Sequence, residues 1–239
     1  MSRLHQNVPL AEQVASQLRR RIAEGEFPVG ARLPTEMALA ADLGVSRNSV
    51  REALRSLVHA GLLRARAGDG TYVTAVSDLA PAVARRIELD RAADVAEVRL
   101  LLEREGARLA AIRATTQQRD QLRRALVDRS AADDPSAYTK ADLALHNLLL
   151  EASGNALLAE LYRGTGGVED AHRDLNPGGQ DFRTLLTAMA DIDAAHVDVV
   201  DAVIAGDPEA AADAAERMVR LVIARVTENN PAGTDPTAR

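Results

Sequence analysis

The stretch PTEMALAADLGVSRNSVREALRSLVHAGLL, residues 34–63, reads as two helices joined at Gly44, with Ser46 as the N-cap of the second. Glycine lacks a Cβ and can take the positive φ that ends one helix, and a serine hydroxyl can accept from the open N–H groups that begin the next. Past the cap, Val50, Ala53, Leu54 and Leu57 recur at helical spacing and are expected to bury one face against Leu39, Leu43 and Val45. The other face carries Arg47, Asn48, Ser49, Arg51 and Arg55. This helix end offers guanidinium, amide and hydroxyl groups to something outside the fold. Arginine can fork onto guanine edges or phosphates, and asparagine can pair with adenine. Gly61 stops the helix, and residues 62–66 and 71–74 read as two short strands around Ala67-Gly68-Asp69-Gly70. Helix, turn, helix and β-hairpin wing make a winged helix-turn-helix.

Upstream, Leu10, Val14, Leu18 and Ile22 keep an apolar stripe, Gly25 ends it, and Phe27-Pro28-Val29-Gly30 turns the chain into Ala31-Arg32-Leu33-Pro34. A helix-turn-helix outline by itself is a common packing unit, so the helix before it and the wing after it carry the specificity. The segments GEFPVGARLPTE (25–36), LGVSRNSVREAL (43–54), GLL (61–63) and GDGTYV (68–73) together resemble the DNA-binding domain of the GntR family of bacterial transcription regulators. The resemblance implies that Arg47, Asn48, Ser49 and Arg51 enter the major groove and that Gly68 approaches the minor groove. Two positions depart from the family pattern. Met37 and Asp69 stand where basic residues are usual, which removes phosphate contacts and predicts weaker nonspecific affinity with a shallower salt dependence.

Charge divides the chain in the same place. Residues 1–75 hold ten arginines against seven acids, whereas the remainder holds nineteen basic and twenty-eight acidic residues. A positive head on a negative body suits a protein that offers one end to DNA. At 239 residues with 46% apolar composition, the chain can build two cores. The absence of cysteine excludes disulfides, thiolate nucleophiles and Cys-based zinc sites. No run of eighteen apolar residues occurs, and MSRLHQNVPL lacks a signal-peptide core, so a cytoplasmic location with no membrane contact is expected.

After a short polar hinge at 75–78, the sequence is helical in character throughout, with Ala, Leu, Arg and Glu dominant. Helices are expected at 79–88, 93–114, 116–131, 135–153, 155–164, 181–205 and 207–228, supported by a Thr115/Gln118 capping box, the break Ser153-Gly154-Asn155 and Pro208 at a first helical position. The fold class is therefore mainly α: a winged helix-turn-helix with a small β-hairpin wing over 1–75, then an all-α bundle of six to seven helices over 76–228. The Pro-, Gly- and Thr-rich end, 229–239, is expected to be disordered.

The bundle resembles the ligand-binding domain of the FadR subfamily, the type called FCD, through VRLLLEREGARLAA (98–111), DLALHNLLLEASGN (142–155) and HVDVVDAVIAGDPEAA (196–211). Asp142 and His146 stand four apart, on one helix face, and His196 arrives from a later helix. One carboxylate and two imidazoles suit Zn²⁺, Ni²⁺ or Mn²⁺ without deciding among them. The resemblance implies a further histidine on the last helix. Counting forward from His196 puts Met218 there, or Arg220 with a two-residue shift; one is a poor ligand for a hard ion and the other would repel it. A histidine flanked by Leu145, Leu148 and Leu149 is equally well read as a packed core residue, and an Arg220 facing inward could itself bind an acidic effector. His172 is a weaker substitute ligand. Arg99 pairs by spacing with Glu103, while the resemblance implies that its guanidinium holds an effector carboxylate.

The resulting expectation is a homodimeric transcription regulator, a repressor rather than an enzyme. It would grip a palindromic operator, with its affinity switched by a small organic acid held in the helical domain. The alternative is a metal-dependent enzyme acting on small acids with a DNA-binding head attached. The acids after residue 180 bring no nucleophile with them, and Gly164-Thr165-Gly166-Gly167 lacks the flanking strand and Lys-Ser or Lys-Thr of a phosphate loop.

Overall fold

The computed structural model describes residues 8–87, 92–165 and 181–229. It divides into two compact units, Met1–Arg85 and Arg86–Arg239. Among the described residues, no helix is long and apolar enough to cross a membrane.

In the first unit, α1 (Leu10–Ala23), α2 (Glu36–Leu43) and α3 (Arg47–His59) enclose a core of Val14, Leu18, Ile22, Leu39, Val50, Leu54 and Leu57. Leu10, read as part of the α1 stripe, is instead 48% exposed, because the first turn of the helix projects past the core. The turn between α2 and α3 is local chemistry. Thr35 caps α2 through Ala38 N–H, Gly44 takes φ 66° at its end, and the Ser46 hydroxyl accepts from Ser49 N–H at 3.1 Å. Caps of this kind each stabilise a helix by about 1 kcal/mol.

The wing pairs β1 (Leu63–Arg66) with β2 (Gly70–Val73), antiparallel, with Leu63 opposite Val73. A third segment supports it. Gly30 N–H donates to Val73 O at 2.9 Å, Val73 N–H to Ala31 O at 2.9 Å and Leu33 N–H to Thr71 O at 2.8 Å, so the stretch before α2 covers the otherwise open edge of β2. Gly61, at φ 84°, lets the chain leave α3 beside α4 (Leu79–Ile87), where a Cβ would come within 2.7 Å of Pro81 Cβ.

The second unit is helical among its described residues: α5 (Ala92–Arg113), α6 (Thr116–Ser130), α7 (Pro135–Ala152), α8 (Ala156–Gly164), α9 (Phe182–Ala188), α10 (Ala190–Ala205) and α11 (Pro208–Asn229). With α4 this gives eight helical segments after the wing among the described residues. The stretch 181–205, read as one helix, is two, broken at Met189, whose side chain is buried with Tyr138 and Ile192. The Thr115/Gln118 capping box forms, Asp134 caps α7 with Pro135 at its first turn, and Asn155 caps α8.

Alanines let the helices of this core approach closely. Ala107, Ala110 and Ala111 of α5 pack with Ala211, Ala214 and Ala215 of α11, and Leu145, Leu149, Leu150, Val199 and Val203 fill the space between. At Gly106 of α5 a Cβ would lie 2.5 Å from Leu150 Cδ1. This close approach holds α5 against α7, and so brings Glu103 of the one to His146 of the other. Residues 230–239 lie outside the described residues, as does His172.

Candidate nucleic-acid interface and candidate metal centre

Arg47, Arg51 and Arg55 lie four apart on α3 and so form one stripe, with Arg47, Asn48 and Arg55 exposed and Ser49 and Arg51 half-buried. Ser49 stands in the capping turn, its Oγ 2.9 Å from Ser46 Oγ. Arg51 is already engaged: its Nε donates to both carboxylate oxygens of Glu36 at 3.1 Å and its Nη2 to Oε2 at 2.7 Å. Hydrogen bonding to Arg51 holds the Glu36 carboxyl below the usual carboxylate range, with Arg47 and Arg55 adding to the effect. Glu36 is a functional neighbour that sequence reading passed over, since fifteen residues and a turn separate it from Arg51.

At the wing tip Gly68 has φ 74°, with nothing within 4 Å of where a Cβ would stand. Asp69 accepts from the Tyr72 hydroxyl at 2.9 and 3.0 Å, and the Arg66 guanidinium lies over the Tyr72 ring at 4.6 Å. The acid that replaces a basic tip residue thus ties the turn to β2. Met37 is 66% exposed.

In the helical unit Asp142, His146 and His196 converge, all buried, with their candidate ligand atoms within 4.8 Å of one another. The two Nε2 atoms are 3.2 Å apart; Asp142 Oδ1 is 3.4 Å from His196 Nε2 and Oδ2 is 3.8 Å from His146 Nε2. Ligands about 2.0 to 2.2 Å from a tetrahedral ion lie roughly 3.3 to 3.6 Å from each other, so the spacing suits a cation.

The surroundings of the outer ring nitrogens bear on the tautomers. His196 Nδ1 is 2.7 Å from Ile192 O, which can only accept, and His146 Nδ1 is 3.2 Å from Glu103 Oε2. The Ile192 carbonyl therefore puts the His196 proton on Nδ1, and the Glu103 carboxylate, at ion-pair distance without the alignment of a hydrogen bond, favours a proton on His146 Nδ1, as metal-ligating histidines usually arrange it. In the neutral rings both Nε2 lone pairs then face one another beside a carboxylate. Acceptors alone would repel at these distances, so a proton or a metal cation must sit among them. Burial works against a charged His146, yet Glu103 beside it keeps its pKa above the ordinary histidine value. Burial pushes His196 down to about 4. Glu103 would rise on burial alone, but His146 and Arg99 hold it at about 2.

Two arginines frame this centre. Arg99 Nη2 donates to Glu103 Oε1 at 2.9 Å and its guanidinium stands 5.8 Å from the Tyr162 ring centroid, so the ion pair expected from spacing is present. Arg129, 1% exposed, donates to Asp142 and to the Tyr138 hydroxyl, and its Nη1 reaches Asp193 Oδ1 at 2.7 Å. Sequence reading named neither Glu103 as a partner of His146 nor Arg129. Asp193, one of the acids after residue 180, is half-exposed and bound to Arg129.

The reading in which Arg220 faces the cavity is overturned. Its side chain is 66% exposed and pairs with Glu216 at 2.8 Å, because position 220 falls on the outer face of α11. Met218 is the inward residue, 2% exposed, in the apolar core.

Comparison with known proteins places these sites in a wider set. The model of bacterial regulatory proteins of the gntR family matches residues 10–73, and the FCD domain model matches residues 94–221. The HTH-type transcriptional regulator Rv0494 of Mycobacterium tuberculosis, described as uncharacterized, is 34% identical over 227 residues, 91% of this chain and 90% of that protein. The HTH-type transcriptional repressor NanR of Klebsiella aerogenes is 33% identical over 156 residues, 62% of this chain and 60% of that one. The solved structure of Streptococcus agalactiae GntR superposes with a TM-score of 0.61 at 30% identity, covering 90% of this chain and 98% of that one.

Proposed function

The chain belongs to the GntR family of bacterial regulatory proteins, with an FCD domain, and on that premise we propose how its two units divide the work of an effector-responsive repressor. It is a DNA-binding transcription regulator and not an enzyme, as its relatives are. Arg47, Asn48, Ser49 and Arg51 read base edges in the major groove, and Gly68 brings the wing backbone to the minor groove. Two copies related by a twofold axis would address the halves of a palindromic operator. Such a reader of bacterial DNA works in the cytoplasm.

The helical unit receives a small organic acid. The observation that carries this is the convergence of Asp142, His146 and His196, with the outer nitrogen of His196 bonded to the Ile192 carbonyl and that of His146 beside the Glu103 carboxylate. These three residues would hold a divalent ion, and the donor set admits Zn²⁺, Ni²⁺ or Mn²⁺. When bound, such an ion supplies a Lewis-acid anchor for carboxylate oxygens. Met218 in the core offers no hard ligand, which leaves coordination positions for water or effector.

Arg99 belongs to the same proposal. An effector carboxylate at its guanidinium would compete with Glu103, and Glu103 faces His146, so occupancy would be felt at the imidazole pair. To change operator affinity the effector must bind one arrangement of the protein better than another; a nearly complete switch needs a difference of about 5 kcal/mol. Thermal shift with a panel of small mono-, di- and hydroxycarboxylic acids, with and without added metal, tests this. Stabilisation by an acid that also changes operator affinity is the expected result. No response from any acid under either condition would remove the effector reading.

A further inference from the structure

We propose that Glu36 is a positioning residue for DNA reading: it holds the Arg51 guanidinium by its Nε side, so that the Nη1–Nη2 end is what α3 presents to a base edge. The inference rests on the reading of α3 as the recognition helix.

Glu36 is the first residue of α2, and the Thr35 cap fixes the backbone there through Ala38 N–H at 3.2 Å. Its carboxylate takes Arg51 Nε–H on both oxygens at 3.1 Å and one Nη2–H at 2.7 Å. A guanidinium has five N–H groups in a rigid plane. With the Nε edge spent, the two Nη1–H groups and the outer Nη2–H remain, and they form the end-on fork that matches guanine O6 and N7. Arg51 thereby loses its rotamer freedom before DNA arrives rather than on binding.

The cost of this arrangement is visible beside it. Glu36 faces the stripe of Arg47, Arg51 and Arg55, all of which lower its pKa. A carboxylate on a surface meant for phosphates weakens nonspecific binding. Arg47 and Arg55 make no hydrogen bond or ion pair among the described residues, so of the three arginines only Arg51 is held in one orientation. Charge neutralisation alone would not single out one arginine in a bidentate grip.

The test uses the full chain and a duplex obtained by selecting a randomised pool against the parent protein. Glu36→Gln removes the charge and the second strong acceptor, while Glu36→Asp keeps the charge but withdraws the carboxylate by one methylene. Discrimination between the selected duplex and its single base-pair substitutions is measured at several salt concentrations, with melting temperatures as a folding control. Both variants are expected to lose about tenfold in discrimination at the base pair that Arg51→Ala also affects. Only the Gln variant should bind unrelated duplex more tightly, with a salt slope steeper by about one. If both variants keep the parent's discrimination while Arg51→Ala loses it, the positioning role is wrong and the recognition-helix reading stands. If Arg51→Ala also keeps it, the recognition-helix reading falls and the positioning role with it. A change in melting temperature alone would mean that Glu36 acts only on the α2 N-terminus.

Discussion

His146 and His196, fifty residues apart in the chain, bring their Nε2 atoms to 3.2 Å in the interior of the helical unit, each with an acceptor as partner beside its other ring nitrogen. Glu103 supplies that partner for His146 and the Ile192 carbonyl for His196. A pair of imidazoles oriented from outside is built to face something between them.

Glu103→Gln is therefore expected to weaken metal binding by about 10- to 100-fold, the usual loss when a ligand's outer partner is removed. The amide can still fill the space but no longer offers a charged acceptor to His146 Nδ1. Competition with a chromophoric chelator measures the change. An unaltered affinity would show that Glu103 does not act on the imidazole pair.

Arg47→Ala and Arg51→Ala should each reduce discrimination between the preferred duplex and single-base variants, by about 1 to 3 kcal/mol where the arginine had gripped a base edge with two hydrogen bonds. Competition binding at fixed salt reads this directly. Variants that bind as tightly and as selectively as the parent would remove α3 from the DNA interface.

Met37→Arg should raise affinity for unrelated duplex and steepen the dependence of log K on log salt by about 1 if the new guanidinium reaches a phosphate. The side chain is 66% exposed, so the fold has room for the change. A parallel slope in parent and variant would mean that position 37 does not face the DNA backbone. Asp69 is a less clean site for this test, because it also accepts from Tyr72 and a change there would loosen the wing.

Gly61→Ala and Gly44→Ala separate two kinds of strain. Both residues have positive φ, 84° and 66°, where a Cβ costs about 1 to 2 kcal/mol. At Gly44 nothing lies within 4 Å of the added atom, whereas at Gly61 it would meet Pro81 Cβ at 2.7 Å. Gly61→Ala should lower the denaturation midpoint of the head more than Gly44→Ala does. Equal effects would mean that α4 yields freely to the added atom.

Much of this was legible in sequence, for reasons that also explain what was not. The stripe Val50, Ala53, Leu54, Leu57, the caps at Ser46 and Thr115, and the i, i+4 pair Asp142 and His146 are local patterns, and local patterns carry their own geometry. Glu103 and Arg129 were hidden because each sits in a helix rich in charged residues, where a charge ordinarily faces water. Only the packing of α5, α6, α7 and α10 shows that these two are buried. The break at Met189 has no glycine or proline to mark it and follows from burial of Met189 beside Tyr138 and Ile192. The cover that residues 30–33 give to β2 depends on pairing across some forty residues, which no window along the chain can display.

The most direct measurement is elemental analysis of the full chain purified without chelators, beside the same analysis of His146→Ala. Near-stoichiometric divalent metal in the parent and its loss from a folded variant are expected. A parent that holds no metal, even after incubation with Zn²⁺, Ni²⁺ or Mn²⁺ and desalting, would contradict the metal centre and leave a shared proton between His146 and His196.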